Sequence, residues 1–167
     1  MPSPWSLSKS GTEHGEQAGL FCWLQIAALH GWEKACDERV YLERGFVLEG
    51  PSVAIPELSW VFAIPNGGSR GDSKQSAMMV GAMMKAEGVK RGVSDLFVPI
   101  ARHGLSGLFI EMKRVDGGTE SKEQKAFGAA MQGFGFGYMV CHGWIEAANG
   151  IMAWMGAPKA LKLCAKA

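Results

Sequence analysis

The chain is 167 residues long, enough for one domain with its own core and too short for two. Hydrophobic residues make up 47% and charged residues 20%, which excludes a disordered tail and a fibrous protein. The net charge of +1 hides an asymmetry: residues 1–60 hold four Lys and Arg against eight Asp and Glu, whereas residues 61–167 hold thirteen against eight. That basic excess suits a phosphate-bearing partner, and a solvated mixed-charge face has the same composition.

The opening MPSPWSLSKSGTEHGE has no apolar run and is not expected to be a signal peptide. Thr12 is placed to cap a helix whose first turn carries Glu13 and Glu16, favourable at the positive end of the helix dipole. Leu20, Phe21, Trp23, Leu24, Ala27 and Ala28 recur at helical spacing, so the helix is expected over residues 12–30. Residues 31–57 have weak periodicity and several charges; they receive no assignment, and an insertion is one reading of them.

Ser59 to Ile64 is apolar, β-branched or aromatic and stops at Pro65-Asn66-Gly67-Gly68, the pattern of a buried strand ending in a turn. A helix starting at Asp72 or Ser73 is expected to run to Glu87, with Gly88 as its stop and Met78, Met79, Met83 and Met84 packed in the core. Val93 to Val98 and Gly107 to Arg114 are strand candidates joined by the loop PIARHGLS, which predicts an antiparallel pair. Ser121 to Phe134 reads as a helix, Gly137 to Cys141 as a buried strand and Gly143 to Met155 as a last amphipathic helix.

Ala126 to Ile145 carries no formal charge, but five glycines, Gln132 and His142 interrupt it, so no membrane span is expected. Cys22, Cys36, Cys141 and Cys164 are widely spaced and predict neither a zinc site nor a disulfide framework. The expectation is a single α/β domain over residues 1–167, a mixed β-sheet flanked by helices, in a soluble cytoplasmic protein.

The chemistry lies in LFIEMKR. Side chains alternate along a strand, so Leu108, Ile110 and Met112 share an apolar face, while Phe109, Glu111 and Lys113 share the other. Charged side chains inside an apolar strand are costly unless paired or bound to metal. Sixteen residues before Glu111, Asp95 sits in the apolar stretch GVSDLFVP. If the two strands are neighbours, the carboxylates meet, and they repel unless a divalent cation joins them. Oxygen-only ligation favours Mg²⁺ or Mn²⁺. The pattern by itself leaves two readings open: a metal-dependent nuclease, or a structural Glu–Lys pair with an unrelated Asp.

The runs GVKRGVSDLFVP, GLFIEMKR and SKEQK resemble the VRR-NUC family, virus-type replication-repair nucleases of the PD-(D/E)XK superfamily. The likeness extends to AIPNGGSR, similar to that family's strand and Asn-Gly turn, and to Glu13-x-x-x-Gln17, similar to its first-helix motif. It implies a restriction-endonuclease-like core in which Asp95 and Glu111 bind metal, Lys113 acts on the attacking water and Gln124 lines the site. Glu13 would complete the metal environment, with Glu16 a rival in the same turn. Gln17, Asn66 and Arg70 would lie near DNA, although Asn66-Gly67-Gly68 and Arg70 also admit a turn-only reading. Lys90, Arg91, Arg102, Arg114, Lys122 and Lys125 are candidate phosphate contacts, each also readable as solvated surface charge. His14, His30, His103 and His142 have no partner at ligand spacing and take no part.

The resemblance implies a Mg²⁺-dependent DNA endonuclease, with Mn²⁺ able to substitute, of phage or prophage type and acting in the cytoplasm of a bacterial or phage-infected cell. Minimal members of this kind resemble homodimeric four-way junction resolvases. A less selective flap or linear-duplex nuclease is a second reading; a DNA-binding module with an inactive site and a structural phage protein are others. For the homodimer, Trp5, Leu7, Trp154, Met155 and Leu161 are candidate interface residues, with core packing as the alternative.

Overall fold

Thr12 lies in extended conformation, and its side chain accepts the Gly15 amide hydrogen at 3.1 Å, which starts the longest helix of the fold. The computed structural model describes residues 2–42, 52–65, 74–161 and 163, and leaves out the side chains of 74–77. Helix α1 is Pro4–Ser8, capped by Ser3; α2 is Glu13–His30; α3 and α4 are the short turns Trp32–Cys36 and Arg39–Leu42. The first packs on α2, with Ala35 buried, and Tyr41 of the second is buried edge-on to Trp5, its hydroxyl donating to the Ala35 carbonyl at 3.0 Å.

The expected buried strand at Ser59 to Ile64 is corrected. Pro56–Trp60 is a 3-10 turn, and strand β1 is only Phe62–Ala63. Proline at the first position presets the helical φ, and the remaining two paired residues form the sheet's edge, where Phe62 stays exposed. Asn66 and Arg70, with Gly67 and Gly68, lie outside the described residues. Helix α5, Lys74–Ala86, has the expected extent, but its methionines are not core: Met78, Met79 and Met83 are 77%, 65% and 60% exposed. Apolar character alone does not bury a helix face that no sheet or helix among the described residues covers.

Strands β2 (Leu96–Val98) and β3 (Leu108–Lys113) pair antiparallel as expected, with Phe97 opposite Phe109. Helix α6 is Lys122–Gly133, β4 is Gly137–His142 and α7 is Trp144–Met155. The sheet order is β1-β2-β3-β4, with β4 parallel to β3, so the sheet is mixed. A parallel neighbour requires a crossover, and α6 supplies it.

One sheet face, formed by Leu96, Val98, Leu108, Ile110, Met112 and Cys141, is buried with Leu20, Trp23 and Leu24 of α2 and Ile151 and Met152 of α7. The opposite face carries Phe97, Phe109 and Phe136, packed ring to ring and against Phe127 of α6. Of the terminal apolar residues named as interface candidates, all but the half-buried Leu7 pack in or against the core. Trp154 is buried and donates its indole hydrogen to the Ile100 carbonyl at 2.9 Å, Trp5 packs edge-on to Trp144 and Tyr41, and Met155 and Leu161 lie against the main cluster. No helix among the described residues is long and apolar enough to cross a membrane.

Candidate functional site

Alternation along β3 turns Leu108, Ile110 and Met112 into the core and Glu111 and Lys113 toward α6. Both charged side chains are nonetheless buried, and the Lys113 ammonium donates to Glu111 Oε1 at 2.7 Å. The β2–β3 register, carried one residue beyond Leu96, brings Asp95 opposite Glu111. Opposite residues of an antiparallel pair share a face, so the two carboxylates approach as the sequence spacing requires. Asp95 itself sits in the bend just before β2, and its Oδ2 accepts the Met112 amide hydrogen at 2.8 Å.

Gln124 closes the site from α6. Its side-chain amide donates to Glu111 Oε1, while its Oε1 accepts from Lys113 Nζ at 3.4 Å and from the Ser121 amide at 2.8 Å. The Ser121 hydroxyl in turn accepts the Gln124 amide hydrogen at 3.1 Å. This is a reciprocal cap, written in the sequence as Ser-Lys-Glu-Gln, so the residue that starts α6 also holds the Glu–Lys pair. Behind it, Tyr138 of β4 donates to Glu120 Oε1 at 2.7 Å, and its ring lies where a Cβ on Gly128 would stand. Gly118, at φ +121°, lets the following loop approach the Lys113 side chain: a Cβ there would lie 3.2 Å from Lys113 Cδ.

Burial pushes the Glu111 carboxyl up to about 7; its bond from Lys113 opposes the rise, and the charges of Asp95 and Glu13 add to it. Oε1 of Glu111 receives Lys113 and Gln124, whereas Oε2 is buried with no hydrogen-bond partner among the described residues. A buried carboxylate oxygen left bare is costly and suits an added cation. Asp95 and Glu111 supply hard oxygen donors of the kind that Mg²⁺ and Mn²⁺ take. Among the described residues, however, no three His, Cys, Asp or Glu side chains stand together as a preformed ligand shell.

Glu13 is exposed on the first turn of α2, and Gln17 is half-buried one turn on. Glu16 is turned elsewhere: it is buried, and its Oε2 accepts the Trp144 amide hydrogen at 2.9 Å. Lys90, Arg91, Arg114, Lys122 and Lys125 are all exposed, the last two on the first turn of α6 beside Gln124. Arg102 is exposed in the β2–β3 loop and donates to the Ala101 carbonyl at 2.9 Å. His103 bonds the Trp154 carbonyl at 3.1 Å and His142 the Gly118 carbonyl at 3.3 Å. The contributions of Ser121, Tyr138 and Glu120 escape a reading of the sequence, except that the S-x-x-Q spacing of the cap at Ser121 is visible there.

No family model matches the sequence, and no curated protein matches it. Among solved structures, a VRR_NUC domain protein superposes with a TM-score of 0.50 at 23% identity, covering 62% of this chain and 73% of that one. The chain therefore shares the mixed α/β fold of a VRR_NUC domain, as the sequence resemblance implies.

Proposed function

We propose that the protein is a metal-dependent nuclease that hydrolyses phosphodiester bonds in DNA. The observation that carries this reading is the buried Glu111–Lys113 pair with Glu111 Oε2 left bare, abreast of Asp95, in a chain with the fold of a VRR_NUC domain. A fold hosts many activities, so the site has to carry the argument.

Asp95 and Glu111 are the residues to hold the cation, with Glu13 adding a third carboxylate from α2. A bound Mg²⁺ or Mn²⁺ supplies a water of lowered pKa and neutralises charge on the phosphate. Lys113 has three donors, of which two go to Glu111 Oε1 and Gln124 Oε1. The third is available to orient the attacking water and offset charge gathering on phosphorus. Gln124 holds both partners and prevents Lys113 from swinging out. The exposed Lys90, Arg91, Arg114, Lys122 and Lys125 are the proposed contacts to the flanking phosphates, and Gln17, Asn66 and Arg70 belong to the same proposed DNA surface.

The finer reading is a Mg²⁺ enzyme, accepting Mn²⁺, that acts on branched DNA as a homodimer, since an isologous dimer matches the twofold symmetry of a four-way junction. Purified protein incubated with linear, flap and four-way DNA, each with Mg²⁺, Mn²⁺ or EDTA, tests both levels. Cleavage that EDTA abolishes is expected, with the four-way substrate cut fastest. Equal cutting of all three by a monomer would remove the branched-DNA reading only. DNA binding without cleavage under any metal would favour an inactive DNA-binding module.

A further inference from the structure

Helix α7 begins after Gly143, which has no side chain with which to cap it. The missing cap comes from 128 residues away: Glu16 of α2, only 4% exposed, accepts the Trp144 amide hydrogen through Oε2 at 2.9 Å. A carboxylate at a helix N-terminus meets both an unpaired N–H and the positive end of the dipole, which offsets part of the cost of burying it.

The neighbouring amide ties the same turn to the candidate site. Gly143 donates to the Lys113 carbonyl at 2.9 Å, and His142 stands opposite Lys113 in the parallel register. Two successive amides of one turn therefore hold the backbone of Lys113 and the side chain of Glu16. The turn admits only glycine at 143: φ is +85°, and a Cβ would come 2.6 Å from Val115 Cγ2 and 3.2 Å from Glu16 Oε2.

On the α2 side, Gly19 allows a similarly close approach. A Cβ there would lie 3.0 Å from the Pro4 carbonyl and 3.3 Å from Trp144 Cδ1. Helix α2 is thus seated against α1 and Trp144 with little slack on that side. Glu16 also borders a cavity of about 740 Å³, lined with Trp5, Met139, His142 and Ile145. Glu13 lies three residues earlier, in the same first turn of α2, so it moves with that turn.

We infer that Glu16 is a positioning residue: by capping α7 it fixes the first turn of α2 against the backbone of Lys113, and so places Glu13 at the metal site. The inference rests on the proposed metal-dependent reading, and it removes Glu16 from the ligand set, since its Oε2 is committed to Trp144. A positioning group that holds a ligand affects metal affinity by roughly tenfold to a hundredfold without touching the ion.

The test uses the full chain, without DNA, and two readouts: Mn²⁺ affinity by electron paramagnetic resonance of the free ion, and hydrogen exchange at the Trp144 amide. Glu16→Ala should weaken Mn²⁺ binding about tenfold and speed exchange at Trp144. Glu16→Gln keeps an acceptor oxygen in the same place, so it should retain both within about twofold. Glu13→Gln should weaken Mn²⁺ binding and leave Trp144 exchange unchanged. If Glu16→Ala does not fold, Glu16→Asp, shorter by one methylene, takes its place.

Loss of Mn²⁺ in Glu16→Gln equal to that in Glu16→Ala would make Glu16 a ligand and overturn the inference. Faster exchange in Glu16→Ala with unchanged Mn²⁺ affinity would reduce it to a structural cap, which also overturns it. Wild-type protein that binds no Mn²⁺ and cuts no DNA would overturn the nuclease reading itself. That outcome is told apart from the other two because they are read against a wild type that binds the ion.

Discussion

Asp95 Oδ2 accepts the amide hydrogen of Met112 at 2.8 Å, so this carboxylate grips the β3 backbone between the two charged residues that face it. Met112 points into the core while Glu111 and Lys113 point the other way. Asp95 thereby acts on structure and charge together, and substitution can separate the two. Asp95→Asn keeps an acceptor for Met112 and removes repulsion with Glu111; metal-free, it should be as stable as wild type or slightly more so. Asp95→Ala leaves the Met112 amide unpaired and should cost about 1–3 kcal/mol. Urea unfolding in EDTA ranks the three proteins, and both variants should lack cleavage. An Asn variant as unstable as the Ala variant would show that charge, not the hydrogen bond, is what Asp95 contributes to the fold.

The Glu111 carboxyl, pushed by burial from 4.5 to about 7, makes the metal-free protein lose stability as pH rises. Below about pH 4.5 the group is protonated in both states. Between there and pH 7 the unfolded chain releases the proton while the folded chain keeps it, so the unfolded state gains. The loss amounts to up to about 3 kcal/mol and levels off above pH 7. Thermal unfolding of wild type and Glu111→Gln in EDTA from pH 4 to 8 measures it: the wild-type slope over this window should be mostly absent from the variant. With metal present, a cation competing with the proton should move half-maximal cleavage to lower pH as Mg²⁺ is raised.

Lys113→Met should reduce cleavage by at least about a hundredfold, because the ammonium beside Glu111 is the group placed to act on the attacking water. Lys113→Arg is not expected to restore it, since a planar fork does not replace a compact ammonium. Single-turnover rates at saturating metal measure both, and wild-type rates in Lys113→Met would take this residue out of the mechanism.

Gln124 has two separable jobs. Gln124→Ala loses half of the reciprocal cap with Ser121 and should destabilise by about 1 kcal/mol as well as slow cleavage. Gln124→Glu keeps a capping acceptor but sets a further carboxylate against Glu111, so its stability should fall more steeply than that of wild type as pH rises through 7. Parallel melts at pH 6 and pH 8.5 distinguish the two effects.

Lys122 and Lys125, exposed on the first turn of α6 beside Gln124, are proposed to meet DNA phosphates. Replacing both by Ala should weaken binding alike for linear and branched DNA and lower the slope of log K against log salt by up to about 0.9 per lost contact. Fluorescence anisotropy in Ca²⁺ across a salt series measures it. An unchanged slope would make them solvated surface charge.

The sequence by itself determined what depends on near neighbours. The period of two in LFIEMKR sorts Glu111 and Lys113 from the core-facing Leu108, Ile110 and Met112, and the Thr12 and Ser121 caps mark where α2 and α6 begin. The antiparallel pairing of β2 with β3 also follows from a short loop, which leaves two adjacent strands few other arrangements. Tertiary structure alone decided the rest. The apolar Ser59 to Ile64 became a 3-10 turn and a two-residue edge strand, and Met78, Met79 and Met83 of α5 stayed in solvent, because burial depends on which surfaces meet and not on a segment's own composition. Glu13 and Glu16 are two acids in one helical turn, and in the sequence only the resemblance through Glu13-x-x-x-Gln17 favours the first. Only the arrival of α7, whose first amide needs an acceptor, draws one of them into the interior and leaves the other exposed at the start of α2.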